Sequence, residues 1–262
     1  MNLMTDEKHY VTMNNYCLYK YHKKTYRISL NGNFSCPNRD GTLSTMGCIF
    51  CSEMGSGDFA GDKSSSIKEQ FEEVKKMMET KWPDGYYIAY FQANTNTYGS
   101  LSKLKEVFGQ IVTECGLLND KIKVLSIATR PDCLDEEKIE YLKELNKHVE
   151  VWVELGFQTS NEKTAAFINR GYNNECFIKA VKALQQAGLY VVVHMINGLP
   201  LETKEDMLNT TKLINSLNVN AVKIHMLHVM KNTPLGKMYE QKPFPLLSLE
   251  EYVDIVVDEL RN

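Results

Sequence analysis

The chain has 262 residues, of which 43% are apolar and 24% charged, and its formal net charge is −3. That is globular composition with enough length for one large α/β domain, and it excludes disorder and low complexity. No apolar run reaches the roughly eighteen residues a membrane span requires. The polar segment Met1 to Tyr10 lacks the apolar core of a secretory signal.

In chain order, β-branched apolar runs predict six strands, at Tyr26–Leu30, Tyr86–Phe91, Lys123–Thr129, Glu150–Leu155, Tyr190–Ile196 and Ala221–Met226. Helical periodicity lies between and after them, at Ile67–Lys81, Ser100–Cys115, Glu136–Lys147, Asn161–Asn169, Glu175–Ala187, Lys204–Ser216 and Ser248–Leu260. Gly188 is placed to stop the helix before the fifth strand. Strands alternating with helices predict a parallel sheet with right-handed crossovers. At this length the expected form is a partial (β/α)6 TIM-like barrel, residues 26–262, preceded by an N-terminal extension over residues 1–25. In such a barrel function sits at the C-terminal ends of the strands. Polar or turn-forming residues follow every predicted strand here.

Charge is unevenly spread. Lys8 to Arg39 contains six basic residues and no acidic one, leaving 24 basic against 33 acidic residues elsewhere. Within it Tyr16, Tyr19, Tyr21 and Tyr26 interleave with Lys20, Lys23, Lys24 and Arg27. Aromatics between cations can stack bases and neutralise phosphates, as in an RNA contact. The same pattern also suits tyrosines half-buried against a barrel with solvated lysines.

Seven cysteines, an odd number, do not make a disulfide framework and point to reduced thiols in the cytoplasm. After strand one, Cys36 is followed by eleven residues and then by Cys48-Ile49-Phe50-Cys51. Thiolates are soft ligands for zinc and iron–sulfur clusters. Three of them fit a [4Fe–4S] cluster with one open iron. They also fit a zinc site completed by Cys17 or His22, or simply buried thiols. Cys115, Cys133 and Cys176 read as small core residues.

This loop, with Phe50 just before its last cysteine, resembles that of the radical S-adenosylmethionine (SAM) enzymes, and the likeness runs nearly the whole chain. It is carried further by Tyr90 to Tyr98, Thr129 to Leu134, Val222 to His225 with Leu227 to Val229, and Thr233 to Leu235. The long first gap between cysteines resembles the Elp3-related YtqA/YhcC-like (MnmL-type) subfamily.

The resemblance implies that Cys36, Cys48 and Cys51 hold a [4Fe–4S] cluster whose fourth iron SAM chelates. It places Gln92, Asn94 and Thr95 at the SAM amino group, Gln158 at the ribose or carboxylate, and Arg170 on the carboxylate. Gly198, in Asn197 to Pro200, would lie beside the adenine, and His194 stands where relatives carry a ribose-binding aspartate. The implied enzyme generates a 5′-deoxyadenosyl radical and acts on tRNA, converting a 5-carboxymethylaminomethyl wobble uridine to 5-aminomethyl. It would draw electrons from a flavodoxin- or ferredoxin-type donor. The alternatives are a radical SAM enzyme with a small-molecule or protein substrate, and a non-enzymatic, zinc-stapled RNA-binding protein.

The remaining residues carry two readings each. His225 and His228 either touch substrate or are hydrogen-bonded barrel histidines. Glu154 is either a SAM contact or a partner of Lys223. Arg130 binds a ligand or caps a helix. Met195, Met226 and Met230 are expected to pack.

Overall fold

The computed structural model describes residues 10–55, 57–113 and 121–262. Cys115 and the end of its predicted helix lie outside these residues. Six parallel strands pair in sequence order: β1 (Thr25–Leu30), β2 (Tyr86–Phe91), β3 (Ile122–Thr129), β4 (Glu150–Gln158), β5 (Tyr190–Asn197) and β6 (Ala221–Met226). The sheet curls into the expected partial barrel. Helices α2 (Ile67–Glu79), α3 (Leu101–Val112), α4 (Glu136–Leu145), α5 (Glu162–Phe167), α6 (Asn174–Gln186) and α7 (Lys204–Ser216) make the crossovers. After β6 come α8 (Pro234–Gln241) and α9 (Leu249–Arg261).

Local chemistry fixes the helix starts. Ser66 with Glu69, Thr203 with Asp206, and Ser248 with Glu251 form reciprocal capping boxes at α2, α7 and α9. Each pair satisfies backbone N–H groups that a helix start leaves without partners. At the other end of α6, Gly188 takes φ +73°, the left-handed conformation that ends a helix without a Cβ penalty.

Side chains alternate across the strands, so each strand feeds two different cores. Outward residues such as Phe91, Leu125, Val153 and Val193 pack under the helices in the larger core, with Phe71, Phe108 and Phe177. Inward residues Ile88, Val124, Trp152 and Val192 fill the lower barrel. The first helix, α1 (Met13–Tyr21), closes that end by adding fully buried Cys17 with Tyr16 and Tyr21. Lys20 Nζ lies 2.5 Å from Glu150 Oε2 at the start of β4, and the Tyr16 and Tyr21 hydroxyls donate to the same carboxylate. Above this floor the inward residues become polar, and the site begins there.

Candidate active site at the barrel rim

Cys36, Cys48 and Cys51 stand at one cavity of about 340 Å³ at the C-terminal ends of the strands. The loop carrying them is ordered by its own backbone. Cys51 N–H donates to Cys48 O at 3.0 Å, and Arg39 N–H donates to Cys36 O at 2.8 Å. The Arg39 guanidinium bonds the carbonyls of Cys51, Ser52 and Glu53. Asn38 Nδ2 donates to Asn169 O at 2.5 Å and points at Cys48 Sγ, 3.6 Å away. Burial and the neighbouring sulfurs of Cys51 and Cys36 push the Cys48 thiol up to about 12.

That loop leans on the β2 rim. Asn94 N–H donates to Gly55 O at 2.8 Å, and Thr95 N–H donates to Ser35 O at 3.2 Å. A Cβ on Gly57 would sit 2.5 Å from Ala93 Cβ, and one on Gly55 would collide with Asn94 Oδ1. Gly55 also has φ +59°, so glycine is required there on both counts. Gln92, Asn94 and Thr95 all line the cavity.

At the end of β4 the pairing with β5 slips between Gly156 and Gln158. The irregularity puts Gln158 at φ +69° and turns it into the cavity, where its Oε1 is buried with no donor. A buried amide oxygen left unpaired is costly, and a ligand N–H or O–H in the cavity would satisfy it.

Beneath the rim lies a charged network centred on Glu154, which is 1% exposed. It accepts hydrogen bonds from Ser126 Oγ at 2.5 Å and His194 Nε2 at 2.6 Å, and pairs with Arg27 Nη2 at 3.0 Å. Burial alone would raise this carboxyl, but the bond from His194 and the charge of Arg27 hold it well below the usual carboxylate range. Burial lowers His194 despite Glu154, and lowers His225 to about 3, so both imidazoles are neutral at neutral pH. His225 Nε2 lies 3.2 Å from His194 Nδ1. The network then assigns the tautomers: His225 Nε2–H donates to His194 Nδ1, and His194 Nε2–H donates to Glu154.

Several expectations are corrected by this geometry. Arg170 is 1% exposed and does not line the cavity. Its Nη1 donates to Phe157 O at 3.0 Å and Thr159 O at 2.6 Å, and its Nε donates to Tyr172 O at 2.9 Å. Its Nη2 faces Asn174 Oδ1 at 3.2 Å and Glu162 Oε2 at 3.4 Å. All five donors are spent on the end of β4 and the segment from there to the start of α6, leaving no fork for a ligand carboxylate. Arg130 does line the cavity, with its fork on Asp132 at 2.7 and 2.9 Å. Gly198 also lies outside the cavity lining. Its N–H donates to Met207 Sδ at 3.2 Å, and the place of its missing Cβ faces Leu247.

His194 lines the cavity, but its Nε2 is committed to Glu154 rather than left for a ribose. The ion-pair partner of Glu154 is Arg27, not Lys223. His225 and His228 both line the cavity, with His228 exposed at its lip. Met195 is buried in the core, Met226 lines the cavity and Met230 is 45% exposed.

The zinc staple loses its fourth ligand. Cys17 is sealed in the barrel floor with α1, and His22 ends that helix, both at the end opposite the cysteine loop. Among the described residues no three His, Cys, Asp or Glu side chains converge to hold a single metal ion. Of the basic N-terminal segment, Lys20 and Lys23 lie towards the foot of the barrel, paired with Glu150 and Asp84, whereas Arg27 pairs with Glu154 in the interior and Arg39 lies in the cysteine loop. Sequence reading missed Arg27 and Tyr90 as site residues. Their signal was polarity at inward strand positions, where an apolar residue would be expected.

The radical SAM superfamily pattern matches residues 41–214, and the radical SAM C-terminal domain pattern matches residues 219–262. The chain belongs to the radical SAM superfamily, whose members bind a [4Fe–4S] cluster and SAM. It is 45% identical over 254 residues to YtqA of Bacillus subtilis, covering 97% of this chain and 77% of that one. It is 22% identical over 184 residues to the tRNA-2-methylthio-N(6)-dimethylallyladenosine synthase of Clostridium tetani, covering 70% of this chain and 40% of that one. Its fold is similar to the archaeal Elp3 of Methanocaldococcus infernus, with a TM-score of 0.65 at 18% identity over 90% of this chain. The chain spans about half of that Elp3 chain, 53% of its length. Among the described residues no helix is long and apolar enough to cross a membrane.

Proposed function

We propose that this chain is a radical SAM enzyme that modifies tRNA, shortening a 5-carboxymethylaminomethyl wobble uridine to 5-aminomethyl. The observation that carries the enzyme reading is three cysteines of one loop at the mouth of a single barrel cavity, facing the undonated Gln158 oxygen. The donor set fits the cofactors: three soft thiolates with no hard ligand among them suit a cluster that keeps one iron free. The tRNA reading is supported by the 22% identical tRNA-modifying synthase from Clostridium tetani.

Bound in this cavity, the cluster and SAM would supply the one-electron chemistry for hydrogen-atom abstraction from substrate. The protein holds and shields. Cys36, Cys48 and Cys51 would hold three irons. Gln92, Asn94 and Thr95 would meet the methionine end of SAM through their rim segment, and Gln158 Oε1 would accept from its ribose or amino group. Ile196, Leu227 and Phe50 line the wall and would help to exclude water from the reacting atoms. The neutral His225 has its Nδ1 left as an acceptor beside the substrate space, where it can hold a substrate N–H or O–H. Substrate would enter past His228 at the lip, on the side of the barrel away from α1.

The test is anaerobic reconstitution with iron and sulfide, followed by dithionite, SAM and tRNA bearing the carboxymethylaminomethyl group. The expected result is 5′-deoxyadenosine together with mass-spectrometric loss of the carboxymethyl unit, both abolished in Cys48→Ala. Cleavage of SAM with the tRNA unchanged would overturn the tRNA reading and favour a small-molecule or protein substrate. Absence of both iron binding and SAM cleavage would overturn the enzyme reading.

A further inference from the structure

The cavity wall carries three cations and one acid: Arg39, Arg130 and Lys223 against Glu154. Two of those cations are already used. Arg39 is bound to backbone carbonyls and Arg130 to Asp132. Lys223, on β6, has no hydrogen-bond acceptor and no carboxylate within 4 Å among the described residues. It lies over the face of Tyr90, with Nζ 5.4 Å from the ring centroid. Arg27 stacks on the same ring with its guanidinium carbon at 4.7 Å. Its Nε is also buried without a partner. Glu154 holds Arg27, Ser126 and His194 at contact distance, and its charge reaches Lys223 only from further away.

With His194 and His225 neutral, the interior holds two cations, Arg27 and Lys223, for one carboxylate. Taking a charge out of water without a partner is costly, and a half-buried ammonium with no carboxylate at contact distance is a place where an anion gains. The ammonium is a point-charge donor with three N–H groups, suited to a small anion presented at the end of a larger molecule.

We propose that Lys223 is the anchor for a substrate carboxylate, making the β6 side of the cavity an anion subsite separate from the cysteine loop. On the reading given above, which this deepens, that carboxylate is the terminal group of the carboxymethylaminomethyl side chain. The subsite would place the group's acidic end on β6 and leave its methylene carbons between β6 and the cysteine loop. A neutral uridine substituent would leave Lys223 unpaired and be disfavoured.

The test uses the oxidised, cluster-loaded protein saturated with SAM, so that the cluster's own amino-acid site is filled. N-methylglycine and its neutral amide are titrated while the His225 ring signals are followed by NMR, because His225 lies two residues along the same face of β6. The expected result is that the acid shifts these signals and the amide does not. Lys223→Met should weaken the acid's effect at least tenfold, Lys223→Arg should largely keep it, and SAM affinity should stay unchanged in both. No preference for the acid in the wild-type protein would overturn the subsite, as would an equal response in Lys223→Met. A parallel loss of SAM affinity would also overturn it, by placing Lys223 on the cofactor.

Anticodon stem-loops carrying carboxymethylaminomethyl uridine, its methyl ester or plain uridine are measured alongside. If the small acid binds through Lys223 while the three stem-loops bind alike, the subsite stands and the uridine reading falls.

Discussion

Arg27 of β1 reaches across the open barrel to Glu154 of β4, with Nη2 3.0 Å from Oε1. Two strands with β2 and β3 between them are tied through the interior by this pair. The carboxylate side chain is entirely buried and the guanidinium 23% exposed, so the bond lies at the dry end of the polar layer.

Removing one partner of a buried pair leaves the other charge uncompensated, at a cost of about 3–5 kcal/mol. Glu154→Gln should therefore lose stability on that order in urea unfolding, whereas Lys20→Met at the partly solvated Glu150 pair should lose less than about 1 kcal/mol. Equal losses would mean that the interior pair is no better shielded than the peripheral one.

The two histidines set a pH dependence. His225 is held at about 3 by burial and by the nearby charges of Lys223 and Arg27, with neutral His194 against it. The unfolded chain takes up this proton near pH 6.5 and the folded chain does not, so stability falls as pH drops below about 6.5. Going from pH 7.5 to 5.5 should cost about 1.4 kcal/mol for this residue, and His194 steepens the fall. His225→Gln should flatten the slope in melts between these pH values. Glu154 acts at lower pH: its depressed carboxyl stabilises the fold fully above about pH 4.3, and that contribution goes as pH falls further.

Arg170 should behave as a structural clamp. Arg170→Lys keeps the charge but loses the fork that bonds three carbonyls, and leaves buried acceptors unpaired at about 1–3 kcal/mol each. The expected signature is a fall in unfolding free energy of at least about 3 kcal/mol. SAM affinity of the folded, iron-loaded variant should stay within about threefold. A SAM affinity lost with full stability retained would return Arg170 to the ligand.

Gly55→Ala should disturb the rim specifically. The new methyl collides with Asn94 in a left-handed conformation, at a cost of about 1–2 kcal/mol. SAM binding should weaken through displacement of the β2 rim, while iron content, set by the cysteines, stays full. Gly188→Ala, with nothing within 4 Å of its new methyl, should carry the backbone cost and leave SAM binding alone.

The strands were legible because apolar β-branched runs have few other uses, and β2 and β6 have the bounds that periodicity predicts. β4 runs on to Gln158 because an irregular step past Gly156 keeps it in the sheet, which alternation cannot reveal. α1 was not legible: it buries Cys17 and half-buries tyrosines rather than presenting one apolar stripe. α8 is a single short stretch begun by Pro234 behind the Thr233 cap. The cysteines stood out by their chemistry and Gln92, Asn94, Thr95 and Gln158 only by the family resemblance, and one cavity is lined by all of them. Arg170 and Gly198 were misplaced because a motif position records a neighbour in sequence, not the direction of a guanidinium or a missing Cβ. Arg27 was hidden among surface-like cations, and its own partner Glu154 lies more than a hundred residues further along the chain.

The knot at Glu150 bears on how the chain assembles during synthesis. Lys20, Tyr16 and Tyr21 leave the ribosome about 130 residues before the carboxylate they grip. Until β4 emerges, the first helix has no seat, and its tyrosines and Cys17 remain in water. Contacts of such sequence separation form late, because the loop must be closed before the contact is gained. The barrel is therefore stoppered from below only after most of its staves are in place. A nascent chain arrested before residue 150 should hold α1 open to protease, and one arrested beyond β5 should protect it.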